Sequence, residues 1–167
     1  MLTPNFLVND IYDITDEFIA KNNIKGIIFD IDNTLVGFKQ KKPDQKIIAY
    51  INHLKSIGLM VAIASNNSKD RVADFCKELG VLSVARACKP LTFRLRKIAT
   101  SMGILKRNIA LVGDQVYTDS LGANLCGMIS ILVNPIDKKE TLLFKIKRML
   151  ELPVIYFKRR KDKKHGR

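Results

Sequence analysis

Short apolar runs alternate with stretches of helical period along most of the chain. The first run, residues 27–31, is followed by a helix pattern that Pro43 opens. Ile47, Ile48, Ile51, Leu54 and Ile57 share one face of it, and Gly58 closes it. Proline in the first turn and glycine just past the last are ordinary helix boundaries. Residues 59–64 read as a second strand. Residues 69–79 read as a helix that turns Val72, Phe75, Cys76 and Leu79 inward, and 82–85 as a short third strand. A helix over 91–102, a strand over 108–112, a helix over 118–126 and a strand over 128–133 complete the pattern. The strands are continuously apolar, as parallel strands covered on both faces must be. The expected fold is therefore α/β: a mostly parallel five-stranded sheet with helices on both faces. In such sheets the ligand site lies beyond the carboxyl ends of the strands, near the point where strand order reverses.

Composition sharpens this picture. A chain of 167 residues suits one domain with a real core, and 47% hydrophobic with 7% aromatic content suits an aliphatic interior. The net charge of +13 is uneven: residues 138–167 carry 12 Lys and Arg against Glu140, Glu151 and Asp162. The expected division is a core over 1–137 and a C-terminal amphipathic helix with a basic tail over 138–167. Such a tail suits anionic membranes or nucleic acid. Cys76, Cys88 and Cys126 form no C-x-x-C pair and read as reduced packing thiols in a reducing compartment. The N-terminal region lacks a basic segment and soon becomes acidic at Asp10, Asp13, Asp16 and Glu17, which argues against a secretory signal. No apolar run approaches the roughly 20 residues that span a bilayer. The expected location is cytoplasmic, with peripheral contact at the inner face of the membrane as an option.

Polar chemistry gathers just after the strands. Asp30, Asp32, Asn33 and Thr34 follow the first, Ser65, Asn66 and Asn67 the second, and Lys89 and Pro90 the third. Gly113, Asp114, Gln115 and then Asp119 follow the fourth. Asp30 and Asp32 are two apart on extended chain and lean to the same side. Two carboxylates alone would repel and one would stay protonated. A Mg²⁺ ion removes that conflict, and Asp114 can reach the same ion. Ser65, with free N–H groups at a helix start after it, makes a phosphate seat, and Lys89 adds a cation for the same anion. One aspartate can then attack phosphorus, while the second protonates the leaving group and later activates water. Each signal alone has a plainer reading. D-x-D spacings are mostly solvated turns, Ser65 could be a helix cap, and Asp119 could serve a helix dipole. Their recurrence in order, at four successive strand ends, is what points to a phosphoryl site.

The motifs "DIDNT", "ASNN", "KP" and "GDQVYTD" resemble the four motifs of the haloacid dehalogenase (HAD) superfamily of phosphotransferases, over about residues 24–135. The resemblance implies a Rossmann-like core with Asp30 as nucleophile and Asp32 as general acid/base. It implies Mg²⁺ held by Asp30, the Asp32 backbone carbonyl and Asp114, with Asp119 orienting metal-bound water. The candidate metal residues are thus Asp30, Asp32, Asp114 and Asp119. The candidate phosphate-binding residues are Thr34, Ser65, Asn66 and Lys89. "IKGIIFDIDNTLV", "SNN", "GDQVYTD" and the opening "LTPNFLVNDIYDI" look like the YqeG-type branch of HAD subfamily IIIA, whose members include phosphatidylglycerophosphate phosphatases. Gln115 departs from the paired acids of many HAD enzymes and leaves the later acid, Asp119, to supply the second charge.

Ten residues separate Asp32 from Pro43, and one helix with one short strand fills the span from Ser65 to Lys89. Neither leaves room for a cap domain. An open crevice admits a phosphate presented on a large body. Leu142, Leu143, Ile146, Met149 and Leu150 form a helical stripe, Pro153 is expected to end or bend that helix, and Val154, Ile155, Tyr156 and Phe157 precede the basic run. Apolar residues beside a polybasic run suit an anionic membrane. Leu2, Phe6, Leu7 and Val8 leave two options, membrane contact or packing on a sheet edge. The leading expectation is a Mg²⁺-dependent phosphatase acting on phosphatidylglycerophosphate. The alternatives are a phosphatase for nucleotide or nucleic-acid phosphate ends and a non-catalytic basic binding module.

Overall fold

The computed structural model describes residues 2–137 and 142–164, the side chains of 142–149 and 163–164 excepted. Its strands are β1 (Phe6–Leu7), β2 (Gly26–Phe29), β3 (Met60–Ala64), β4 (Leu82–Val84), β5 (Ile109–Gly113) and β6 (Ile129–Leu132). They form one wholly parallel sheet in the order β1-β6-β5-β2-β3-β4. The five expected strands are β2 to β6, with ends shifted by one or two residues. The sheet has a sixth strand because Phe6 and Leu7 pair with Ile131 and Leu132 at its edge. Two residues are too short a run to show as a strand in the hydrophobic pattern. Of the two options for this segment, packing on the sheet edge is the one the fold adopts.

The helices are α1 (Asp16–Lys21), α2 (Gln45–Ser56), α3 (Lys69–Cys76), α4 (Thr92–Ser101), α5 (Leu121–Cys126) and α6 (Leu142–Lys164). Thr15, Asp44 and Ser68 cap the first three by accepting from the N–H groups of Phe18, Ile47 and Arg71. Strand residues alternate between two cores. Ile27, Phe29, Val61, Ile63, Ala110 and Val112 pack with Ile51 and Leu54 of α2 and Val72 and Phe75 of α3. Ile28, Ala62, Ala64, Ile109 and Leu111 pack on the other face with Leu95 and Ile98 of α4 and Ala123 of α5. Neither residues 30–44 nor the chain between β3 and β5 holds an inserted domain, so the carboxyl ends of the central strands are uncapped. Cys76 and Cys126 are buried as expected, whereas Cys88 is exposed on the loop before Lys89; all three are free thiols.

Pro153 does not end the last helix, which is helical from Leu142 to Lys164. A proline inside a helix removes a hydrogen bond and costs about 3 kcal/mol. The turn before it is tied to the body, which offsets that loss. The buried Glu151 carboxylate accepts from the N–H of Val116 at 2.8 Å, and the Leu150 carbonyl accepts from the Tyr117 hydroxyl at 3.0 Å. Leu142, Leu143, Ile146 and Met149 of the expected stripe, and the end of the basic run at 165–167, lie outside the described side chains and residues. No helix among the described residues is long and apolar enough to cross a membrane.

Candidate active site

Strand order reverses between β2 and β5: the chain proceeds outward from β2 to β3 and β4, then returns to place β5 on the other side of β2. Asp30 follows β2 and Asp114 follows β5, so the two acids flank the switch point. The register Phe29–Val112 and a hydrogen bond from the Asp30 N–H to the Val112 carbonyl at 2.9 Å fix their relative height. Asp30, Asp114 and Asp119 are all buried, and one carboxylate oxygen from each lies within 4.8 Å of the others. Lys89, itself only 5% exposed, places its ammonium 2.8 Å from Asp30 Oδ1 and 2.6 Å from Asp119 Oδ1. Burial pushes the Asp30 carboxyl up to about 7; Lys89 pulls against that rise, while Asp119 and Asp114 add to it. Burial would lower the Lys89 ammonium, but Asp119 and Asp30 outweigh it and hold Lys89 above its usual value.

Three carboxylates facing one ammonium leave excess negative charge in a buried place. Hard oxygen donors at this spacing fit a divalent cation such as Mg²⁺. The backbone is shaped around the cluster. A Cβ on Gly113 would stand 2.2 Å from Asp119 Cγ, so only glycine leaves room for that carboxylate beneath β5. Asp119 belongs to a wide helical turn, Val116–Ser120, that leads into α5. Its Oδ2 accepts from the N–H of Gln115 at 3.1 Å, which folds the turn back on the strand end. Glu151 of α6 grips the same turn at Val116.

The Asp32 carboxylate is not part of that cluster. It forms an ion pair with Arg71 at 2.9 Å and accepts from Asn67 Nδ2 at 3.0 Å. Arg71 also donates to the carbonyls of Gln40 and Lys41, which ties the loop after the first strand motif to α3. Ser65 is buried, and its hydroxyl accepts from the Asn67 N–H at 3.2 Å. The Asn66 side chain is spent on the backbone of Lys89. Its Oδ1 accepts from the Lys89 N–H at 2.7 Å, and its Nδ2 donates to the Lys89 carbonyl at 3.1 Å. Asn66 thus holds the β3 and β4 strand ends together and aims the lysine. Thr34 is buried and does not line the cavity described next.

A cavity of about 720 Å³ opens over these groups, lined by Asp30, Asp32, Ser65, Asn66, Asn67 and Lys89 and by Phe38, Lys39, Lys41, Arg71, Gln115 and Thr118, of which Phe38, Lys39 and Lys41 are exposed. Of the sequence-derived residues, Asp30, Asp32, Ser65, Asn66 and Lys89 line this cavity, Asp114 and Asp119 join Asp30 in the acid cluster, and Thr34 stays outside. Arg71, Lys39, Lys41 and Glu151 are not among the expected site residues. Arg71 reads from sequence as the outer face of a helix, and the two lysines as solvated loop. Glu151 carried a signal, as one of few acids in a strongly basic segment.

The comparisons agree with this geometry. A haloacid dehalogenase-like hydrolase model matches residues 27–88, and a HAD-hydrolase-like model matches residues 86–143. The chain is 33% identical to the probable phosphatase YqeG of Bacillus subtilis over 95% of its own length and 92% of that protein. It is 24% identical to phosphatidylglycerophosphate phosphatase 1, chloroplastic/mitochondrial, of Arabidopsis thaliana, over 91% of this chain and 47% of that one. The fold is similar to that of the cobalt-bound deoxy-D-mannose-octulosonate 8-phosphate phosphatase of Haemophilus influenzae, with a TM-score of 0.57, 20% identity and 75% of each chain covered. Matches to HAD hydrolase models over both halves, a wholly parallel sheet with its acids at the switch point, and a 33% identity that spans nearly all of both chains lead to a single conclusion: this chain belongs to the YqeG-type family of HAD phosphatases, hydrolases of phosphoric monoesters.

Proposed function

We propose that this phosphatase removes the terminal phosphate of phosphatidylglycerophosphate at a membrane surface, in a Mg²⁺-dependent reaction through an aspartyl-phosphate. The observation that carries the chemistry is the buried Asp30 carboxylate, held 2.8 Å from Lys89 and within 4.8 Å of Asp114 and Asp119 at the floor of an uncapped cavity. Asp30, Asp114 and the Asp32 carbonyl would hold the Mg²⁺, with Asp119 behind them. Bound there, the ion supplies charge neutralisation for the phosphoryl oxygens.

The chain's own residues then divide the work. Asp30 attacks phosphorus; its carboxylate–phosphorus bond forms as the ester oxygen–phosphorus bond breaks. Asp32, in its protonated form, gives its proton to the leaving alkoxide. Water next attacks the aspartyl-phosphate and passes a proton to Asp32, and inorganic phosphate leaves with Asp30 restored. Arg71 and Asn67 keep the Asp32 carboxyl at the cavity wall between these two transfers. Lys89 and Ser65 receive the phosphoryl oxygens. Asn66 and Asp119 fix Lys89 in place.

Two features support a lipid substrate. One is the likeness to a named phosphatidylglycerophosphate phosphatase. The other is α6, where Leu150, Leu152, Tyr156 and Phe157 are exposed beside Arg159, Arg160 and Lys161. Exposed apolar side chains interleaved with cations on one helix suit an anionic bilayer. The test is phosphate release from phosphatidylglycerophosphate in mixed micelles, by wild type and Asp30→Asn, with and without Mg²⁺. Release by wild type with Mg²⁺ and none by Asp30→Asn is expected. Equal release by both, or none by wild type with Mg²⁺ while nucleotides are hydrolysed, overturns the reading.

A further inference from the structure

Three cations stand around the mouth of the catalytic cavity, and they are not used alike. Arg71 is committed to Asp32 and to the carbonyls of Gln40 and Lys41. Lys39 and Lys41 line the same cavity, are exposed, and form no ion pair among the described residues. Lys42, the next residue, does have a partner: it pairs with Glu78 at 3.6 Å.

The loop that carries these lysines is pinned on both sides. The N–H of Phe38 donates to Asp137 Oδ2 at 2.8 Å. A Cβ on Gly37 would come within 2.5 Å of that same oxygen, so glycine lets the carboxylate sit close against the loop. On the other side, Arg71 holds Gln40 and Lys41 by their carbonyls. The backbone under both lysines is therefore ordered before any ligand arrives, which reduces the ordering cost of binding.

We propose that Lys39 and Lys41 form a second anion subsite, which selects phosphomonoesters that carry a further anionic group, a phosphodiester above all. This inference rests on the cavity floor being the phosphatase site described under the proposed function. The floor already has Lys89 for the scissile phosphate. A neutral alcohol leaving group would give the rim lysines nothing to meet. A leaving group with its own phosphodiester would extend from the floor past Asp32 to them. Lysine suits that role, because a point charge on a flexible stem accepts a diester without requiring bidentate geometry. The same phosphodiester chemistry could be presented by a lipid headgroup or by a soluble ester.

The experiment uses the full chain with Mg²⁺ and compares kcat/KM for three substrates. Glycerol 3-phosphate offers the monoester alone. Glycerophosphoglycerol phosphate adds a phosphodiester in soluble form. Phosphatidylglycerophosphate in neutral detergent micelles presents that group on a lipid. Wild type should prefer the soluble diester-bearing ester over glycerol 3-phosphate. The double variant Lys39→Ala/Lys41→Ala should lower that preference ratio about tenfold, the size of effect expected from two partly exposed charge contacts. Lys42→Ala should leave the ratio where it was. High salt should shrink the wild-type ratio, because rim charges are screened. Absence of a wild-type preference, or a ratio that survives in the double variant, overturns the subsite. A loss in Lys42→Ala equal to that in the double variant overturns it too, since bulk surface charge would then suffice. Hydrolysis of the soluble diester-bearing ester without hydrolysis of the lipid would sink the lipid reading and leave the subsite standing. Lipid hydrolysis indifferent to Lys39 and Lys41 would do the reverse.

Discussion

Replacing Lys89 with methionine tests the electrostatic logic of the site most directly. The lysine ammonium is buried and lies 2.8 Å from Asp30 and 2.6 Å from Asp119. Methionine fills a similar volume but leaves three carboxylates facing one another without a cation. Removing one member of a buried ion pair costs about 3–5 kcal/mol. For a domain of this size each kcal/mol moves Tm by roughly 2–4 °C, so the metal-free variant should melt roughly 6–20 °C below wild type at pH 8. The deficit should depend on pH in a set direction. Asp30 has its carboxyl raised from 3.8 to about 7, chiefly by burial. An acid raised on folding supports the fold fully below its unfolded value and loses that support as pH rises through its folded value. Without Lys89 to oppose it, the rise is larger, and at pH 5 Asp30 is protonated and needs no partner. The variant's deficit should therefore shrink at pH 5, where the lost pair with Asp119 remains, and grow at pH 8, and Mg²⁺ should restore more of its Tm at pH 8 than at pH 5. Lys89→Met should also lose about 10³-fold in kcat/KM, the scale set by removing one preorganised contact to developing charge. Thermal melts at the two pH values, with and without Mg²⁺, provide the check. A deficit that is the same at pH 5 and pH 8, or a melt within about 2 °C of wild type at pH 8, would refute the account of Lys89 as the counter-charge of this cluster.

Two further substitutions probe the supports of the site. Gly113→Ala places a methyl group 2.2 Å from Asp119 Cγ and must displace that carboxylate; kcat should fall about 10–100-fold through the misplaced Lys89, on the scale that a 1 Å misplacement costs. A variant with wild-type kcat would show that Asp119 is free to move. Glu151→Ala strips the buried acceptor from the Val116 N–H and should cost about 2 kcal/mol, hence roughly 4–8 °C of Tm. Glu151→Gln, whose amide oxygen still accepts, should recover part of this. Equal melts for Glu151→Ala and wild type would mean that α6 is not fastened there.

The centre of the sheet was legible because β2, β3 and β5 are buried on both faces. Their residues are apolar without interruption, and each is followed by a helix pattern with its own stop signal. The edges were harder. Phe6 and Leu7 form a strand by pairing with β6 rather than by any pattern of their own. Pro153 argued locally for a break, but a helix interior is decided by what it packs on. Glu151 stands out locally only as an acid in a basic segment; its partner, the turn at Val116, lies 35 residues away in sequence.

The site divides along a similar line. Groups set by strand ends were readable, because parallel topology sends every strand end to one side of the sheet. Hence the sequence alone brings Asp30, Ser65, Lys89 and Asp114 to one end of the sheet. What their side chains do depends on neighbours that the motifs do not contain. The carboxylate of Asp32, two residues after Asp30, faces Arg71 and Asn67 and stands apart from the acid cluster. Asn66, next to Ser65, spends its amide on the Lys89 backbone. Asp119 has the bland local reading of an acid in a first helical turn, yet it is the partner nearest to Lys89. These three share one cause. A polar or charged side chain is paired with whatever complementary group the fold brings within reach, so its role is set by distances across the sheet rather than along the chain. The D-x-D pair separates in function for that reason: Asp30 meets a lysine from the end of β4, and Asp32 meets an arginine from α3.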